Sequence, residues 1–289
     1  MCATPDGLGT DVDQLVESRD LIGLGVAADE RRRQRHGDQV TFVRVQEVPG
    51  LLAMADATSV QVLPGAGELR IVGVPETLQE AVAMTERLVA VSGSIPVTGF
   101  VLDGLATLCG HDVDALQRLL GDLRGAGLAM VAALHADTTR AGEWLDASHA
   151  AGVDIARLTV KRSGADGGVD LFRQIAAWGG SAAHVHAFAP LARVVEERAT
   201  TGYDDVRRVA LARLLVDNIE SIQVDWSQHG PKLAQVALTC GADDVDAVSA
   251  LDSLDQGPRR APLEEINRNI RAAALVPVQR NGCFEMCGI

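Results

Sequence analysis

The chain has 289 residues, with 26 Lys and Arg against 39 Asp and Glu and a formal charge of −13. That balance excludes an extended phosphate-backbone binder, which needs clustered cations, and no uncharged apolar run approaches the ~18 residues of a membrane span. A hydrophobic content of 47% with 22% charge fits a globular protein of sizeable core, and three Trp, one Tyr and five Phe make that core mostly aliphatic.

In chain order, residues 11–35 read as a helical lead-in that ends at His36-Gly37, with the run Arg31-Arg32-Arg33-Gln34-Arg35 suited to a helix C-terminus. A strand follows at Val40–Val45. Short apolar runs then alternate with helical patterns, the mark of βα units around a parallel sheet. Further strands are expected near Ser59–Leu63, Val97–Leu102, Ala129–Leu134, Ile155–Val160, Ala182–Phe188 and Ser221–Asp225. Helices are expected near 76–91, 113–125, 140–151, 169–178, 203–217 and 231–239, the last opened by Gly230-Pro231 and closed by Gly241 before an acidic turn. Residues 251–261 read as a surface loop, Pro262 opens a final helix, and the tail from Asn281 to Ile289 is expected to be mobile. The division is a lead-in over 1–39, an α/β unit over 40–250 and a C-terminal loop, helix and tail over 251–289, all one structural domain.

The segment GYDDVRRVALARLLVDNIESIQVDWSQHGPKLAQVALTCGADDVDA, residues 202–247, resembles the C-terminal third of aminofutalosine synthase, and more distantly its cyclase and deazaflavin-synthase cousins. The block GVAADERRRQRHGDQVTFV, which follows Leu24 and ends at Val43, resembles that family's first helix and strand. INRNIRAAALVPVQR, Ile266–Arg280, resembles its last helix and exit. The resemblance implies a TIM-type (βα) barrel of the radical-enzyme kind, trimmed, with extra N- and C-terminal helices. It also implies a place in the futalosine route to menaquinone, a [4Fe–4S] cluster on cysteines spaced C-x3-C-x2-C after the first strand, and S-adenosylmethionine.

This chain departs from that pattern where the chemistry would begin, because residues 40–65, VTFVRVQEVPGLLAMADATSVQVLPG, contain no cysteine. Leu63-Pro64-Gly65-Ala66-Gly67 stands for the family's glycine pair at the second strand, and Ala132-Ala133-Leu134-His135-Ala136 for the turn after its fourth. The expectation is therefore a non-radical paralogue with no cofactor, taking a nucleoside-like ligand or a menaquinone-pathway enzyme as partner. The alternative is a repurposed lyase, hydrolase or isomerase acting on a small anionic or nucleoside substrate.

Candidate residues follow from strand position. Gln223 and Asp225 share a face near the carboxyl end of their strand, where barrel enzymes place functional groups. Asp225 fits a general base or a sugar-hydroxyl acceptor, and equally a cap on the backbone N–H groups of residues 226–228. His184 and His186 share a face of the preceding strand, near its start, and fit ligand contacts or satisfied structural histidines. Lys161 and Arg162, before the Gly-rich residues 163–168, fit an anion, as they also fit a solvated loop. Asp225, His186 and Lys161 are the catalytic candidates, and Gln223, Asp225, His184 and His186 the ligand-binding ones. No metal is expected: Cys2, Cys283 and Cys287 read as terminal thiols without a fixed partner, and five cysteines so scattered suit a reduced, cytoplasmic protein.

Overall fold

The computed structural model describes residues 20–54, 60–162, 167–192, 201–252 and 262–287, together with 14, 16 and 17. Helix α1 (Leu21–His36) begins at Asp20, whose carboxylate accepts from Gly23 N at 3.0 Å, and ends at Gly37, with φ +59° and Arg33, Arg35 and His36 in the last turn. Strand β1 (Gln39–Pro49) runs into the short α2 (Gly50–Met54). Then come β2 (Glu68–Val72), α3 (Leu78–Ser92), β3 (Val97–Val101), α4 (Leu102–Leu108), α5 (Val113–Gly125), β4 (Met130–His135), α6 (Ala141–Ala151) and β5 (Ile155–Val160). The second half holds α7 (Val169–Ala177), β6 (Val185–Ala192), α8 (Gly202–Leu215), β7 (Ser221–Asp225), α9 (Trp226–Leu238), β8 (Asp244–Ser249), α10 (Pro262–Ala272) and β9 (Val276–Arg280).

All named strands pair in parallel, in the order 2-3-4-5-6-7-8-1, and β1 also pairs β2, so eight strands close into a TIM-type barrel. Strand β9 is a ninth member, laid on the first half of β1 from Gln39↔Val276 to Val43↔Arg280. The second half of β1 takes β2 from Val45↔Glu68. No helix among the described residues is long and apolar enough to cross a membrane.

Period-two alternation sends one face of each strand to the helices and the other to the lumen. The outward faces, such as Leu69, Ile71, Leu158, Val160, Ile222 and Val224, are at most 2% exposed and form the aliphatic layer under the helices. The lumen is polar. Arg70 bonds both Glu68 (2.6 and 2.8 Å) and Asp246 (2.8 and 3.1 Å), and Arg157 reaches Asp246 at 2.8 Å. Arg280 is bidentate to Asp244 at 2.7 Å, which also accepts from Gln223 at 2.7 Å. The acids Glu68, Asp244 and Asp246 thus balance Arg70, Arg157 and Arg280, and all six are at most 6% exposed. Asp246 is held well below the usual carboxylate range: burial opposes ionisation, and the charges of Arg157 and Arg70 overcome it.

This lumen explains where expectation and structure part. The second strand is Glu68–Val72, whereas residues 60–63 form no strand and Ser59 lies outside the described residues. Pro64 has no N–H for a ladder, and the preceding segment is held instead through Gln46, which accepts from Leu63 N at 2.8 Å and donates to Gln61 O at 2.9 Å. Its end is therefore Val72-Gly73, not Leu63–Gly67. The expected acidic turn is β8, whose aspartates point into the lumen. Helix α9 begins at Trp226, but Gly230 (φ +75°) is non-helical and divides it, so the expected helix opened by Gly230-Pro231 stands as its second part behind a short first turn. On this helix Ala234, Ala237 and Leu238 are buried while Val236 is 46% exposed.

The expected mobile tail is also corrected as far as Cys287. Gly282 N donates to Gly67 O at 3.0 Å and Cys287 N to Gln279 O at 2.9 Å, while the Asn281 side chain accepts from Cys283 N and Glu285 N. Phe284 lies between the Arg280 guanidinium, 3.8 Å from its ring centroid, and the His186 ring, at 4.9 Å. The tail therefore folds against the end of the barrel where the strands begin.

Candidate functional site

Three consecutive strands deliver titratable side chains to the carboxyl rim. Strand β3 passes directly into α4, whose second residue is Asp103. Strand β4 ends on His135, and Lys161 follows the last residue of β5. Phe100, buried and at φ +65°, makes the β3–α4 junction without a loop, a conformation that costs an L-residue about 1–2 kcal/mol. The Asp103 carboxylate accepts from His135 Nδ1 at 2.7 Å on one oxygen and from Lys161 Nζ at 2.9 Å on the other. Its side chain is 16% exposed, against 17% for His135 and 44% for Lys161.

Burial alone would raise the Asp103 pKa, but the hydrogen bonds and charges of His135 and Lys161 prevail and hold it below the usual carboxylate range. Asp137 fixes the adjoining turn by accepting from Lys161 N at 3.0 Å and from Arg162 N at 3.1 Å. One carboxylate therefore holds the Lys161 side chain and another its backbone. The arrangement can bind an anion and can move a proton.

Asp225 also reaches this rim, at the end of β7. Its Oδ1 accepts from Gln228 N at 2.9 Å and Ser227 Oγ at 2.8 Å, which makes it the cap of α9. Gln223 lies deeper, 1% exposed, donating to Asp244 and leaving its Oε1 without a hydrogen bond.

His184 and His186 lie at the opposite end, where β6 begins. They flank Asp154, with His184 Nδ1 at 2.7 Å and His186 Nε2 at 3.2 Å from its two oxygens. The structure thus brings Lys161 and Asp225 to one rim and leaves both histidines at the other. Residues 163–166 lie outside the described residues.

Asp103, His135 and Asp137 were missed as site residues. Their one signal is positional: each stands at or just beyond the end of a strand, as Lys161 does. No composition motif marks them.

Residues 187–289 match the family model of the CofH/MqnC C-terminal region. The chain is similar to aminodeoxyfutalosine synthase of Thermus thermophilus, 36% identical over 90 residues that make up 29% of this chain and 24% of that one. It is also similar to 5-amino-6-(D-ribitylamino)uracil–L-tyrosine 4-hydroxyphenyl transferase of Methanosphaerula palustris, 39% identical over 25% of this chain and 20% of that one. The matched segment spans about a quarter of the length of such curated relatives.

The fold resemblance is broader. Methylornithine synthase superposes with a TM-score of 0.61 at 12% identity, over 93% of both chains. HydG, a maturase of the [FeFe]-hydrogenase, gives 0.63 at 10%, over 95% of this chain and 72% of that one.

These relatives correct the expectation that no cofactor is involved, because they are radical S-adenosylmethionine enzymes, which use a [4Fe–4S] cluster and S-adenosylmethionine. The residues after β1 nevertheless do not fit a cluster held there by three thiolates, since residues 50–67 include no cysteine. Among the described residues no three His, Cys, Asp or Glu side chains are grouped to hold a metal. Cys109 and Cys283 are half-buried, Cys287 is exposed, and Cys2 lies outside the described residues.

Proposed function

We infer, from a TIM-type barrel whose residues 187–289 carry the CofH/MqnC C-terminal region, that this chain binds a nucleoside-like ligand at the carboxyl rim of its strands. The observation that carries this reading is the match itself. Relatives named for an aminodeoxyfutalosine and for a ribitylaminouracil act on sugar-linked heterocycles, and the matched segment supplies β7, α9 and β8, one wall of the barrel. Asp225 and Lys161 stand on the rim such a ligand would meet.

A second reading, a non-radical lyase, hydrolase or isomerase on a small anionic or nucleoside substrate, is favoured by one observation. Lys161 is joined to His135 through Asp103 at hydrogen-bond distances, an acid–base assembly made of this chain's own side chains.

Thermal melting with adenosine tests the first reading. At a hundredfold excess over the dissociation constant a site specific to the folded state gains about 2.7 kcal/mol, or about 5–10 °C at ~2–4 °C per kcal/mol for a chain of this size. A melting temperature unchanged by adenosine, aminodeoxyfutalosine and S-adenosylmethionine alike would overturn it.

A further inference from the structure

We propose that His135 is a proton-transfer group, oriented by Asp103 and working beside Lys161 on a ligand that carries an ionisable hydrogen next to a carboxylate or phosphate. The proposal rests on the rim being the ligand site, the reading given above.

The first step is tautomer control. An ionised carboxylate only accepts, so the 2.7 Å contact to Asp103 Oδ1 places the proton of the neutral ring on His135 Nδ1. The lone pair then lies on Nε2. That atom makes no hydrogen bond to any described residue and is not among the buried polar atoms left unpartnered. A basic nitrogen at a barrel rim, oriented from behind by an acid, is equipped to take a proton from something that enters.

The second step is charge. Asp103 Oδ2 accepts from Lys161 Nζ at 2.9 Å, so the carboxylate stays ionised between two donors and stabilises an imidazolium when one forms. Lys161, 44% exposed, keeps donor hydrogens beyond the one that Asp103 takes. Asp137, also on this side, is engaged by the backbone N–H groups of Lys161 and Arg162.

In the transfer, the X–H bond of the ligand breaks and its proton moves to Nε2. The electron pair stays on the ligand, whose new negative charge faces the Lys161 ammonium while the imidazolium faces Asp103. Return of the proton to the same atom is exchange, and to a neighbouring atom isomerisation. No oxidant or further reactant enters.

His184 and His186 lack this arrangement. They share a single carboxylate, Asp154, one through Nδ1 and the other through Nε2, and His186 is stacked on Phe284. That pairing joins the tail to the barrel.

The test is long-range 1H–15N spectroscopy of the full chain near pH 8, with inorganic phosphate as the probe. The expected result is His135 protonated on Nδ1 with a bare Nε2, moved saturably by phosphate. Lys161→Met should keep the tautomer and weaken the phosphate response severalfold, whereas Asp103→Asn should mix the tautomers. Carbethoxylation of His135 by diethyl pyrocarbonate, followed by mass spectrometry, gives a second readout and should be severalfold faster in the wild type than in Asp103→Asn.

A proton on Nε2 in the wild type, or a His135 that phosphate leaves unmoved, would overturn the proposal. If adenosine then still shifts the rim, only the proton-transfer role fails. If phosphate moves His135 and adenosine moves nothing, only the nucleoside reading fails.

Discussion

Asp103 illustrates how far residue-level inference reaches. Its partners His135 and Lys161 are 32 and 58 positions away, and only barrel closure brings the three together, so no local spacing announces them. The rim positions of Lys161 and Asp225 were legible because each sits beside the end of a strand that could be read directly. The capping role of Asp225 was legible too, since an acid just before a helix faces unpaired N–H groups.

The depressed pKa of Asp103 gives a prediction with a fixed sign. Its ionised form is favoured in the folded state, so its contribution is fully present above the unfolded pKa of about 3.9 and declines as pH falls from there. Asp103→Asn should therefore lower stability by about 1–3 kcal/mol between pH 5 and 7, as expected for losing hydrogen bonds to a charged group. The gap between variant and wild type should narrow below about pH 4. Urea titrations at several pH values measure this, and a gap that widens toward acid would contradict the assignment.

At the scale of elements, legibility followed charge. Helices α3, α5, α6 and α7 stand within a few residues of where apolar periodicity put them, because their outer faces are polar and their inner faces apolar, and α8 does so although it is buried at every position from Arg208 to Leu214. Strands β2 and β8 were missed because each turns charged residues toward a lumen, and inward-facing acids and arginines break the apolar pattern by which a strand is recognised. The pairing that hides them also makes them sensitive.

Asp246→Asn removes one charge from between Arg70 and Arg157, both at most 6% exposed. Breaking a buried pair in this way typically costs about 3–5 kcal/mol. A denaturant midpoint displaced by that amount, with an unchanged slope, is expected. A variant as stable as the wild type would mean that solvent reaches the lumen and the pairs contribute little.

For the whole molecule, βα alternation made the barrel readable, and eight closed strands plus a ninth replace the seven expected. What sequence alone left unresolved was which end does the work. The two His-rich and Lys-rich candidates belong to opposite ends, one folded over by residues 281–287 and the other at the rim that the strands point toward.

That question has a direct measurement: amide chemical-shift mapping of the full chain during titration with adenosine. The predicted result is a saturable set of shifts gathered on Asp103, His135, Lys161 and Asp225. Shifts gathered instead on Asp154, His184 and His186, or no shifts at saturating adenosine, would contradict the placement of function at the carboxyl rim.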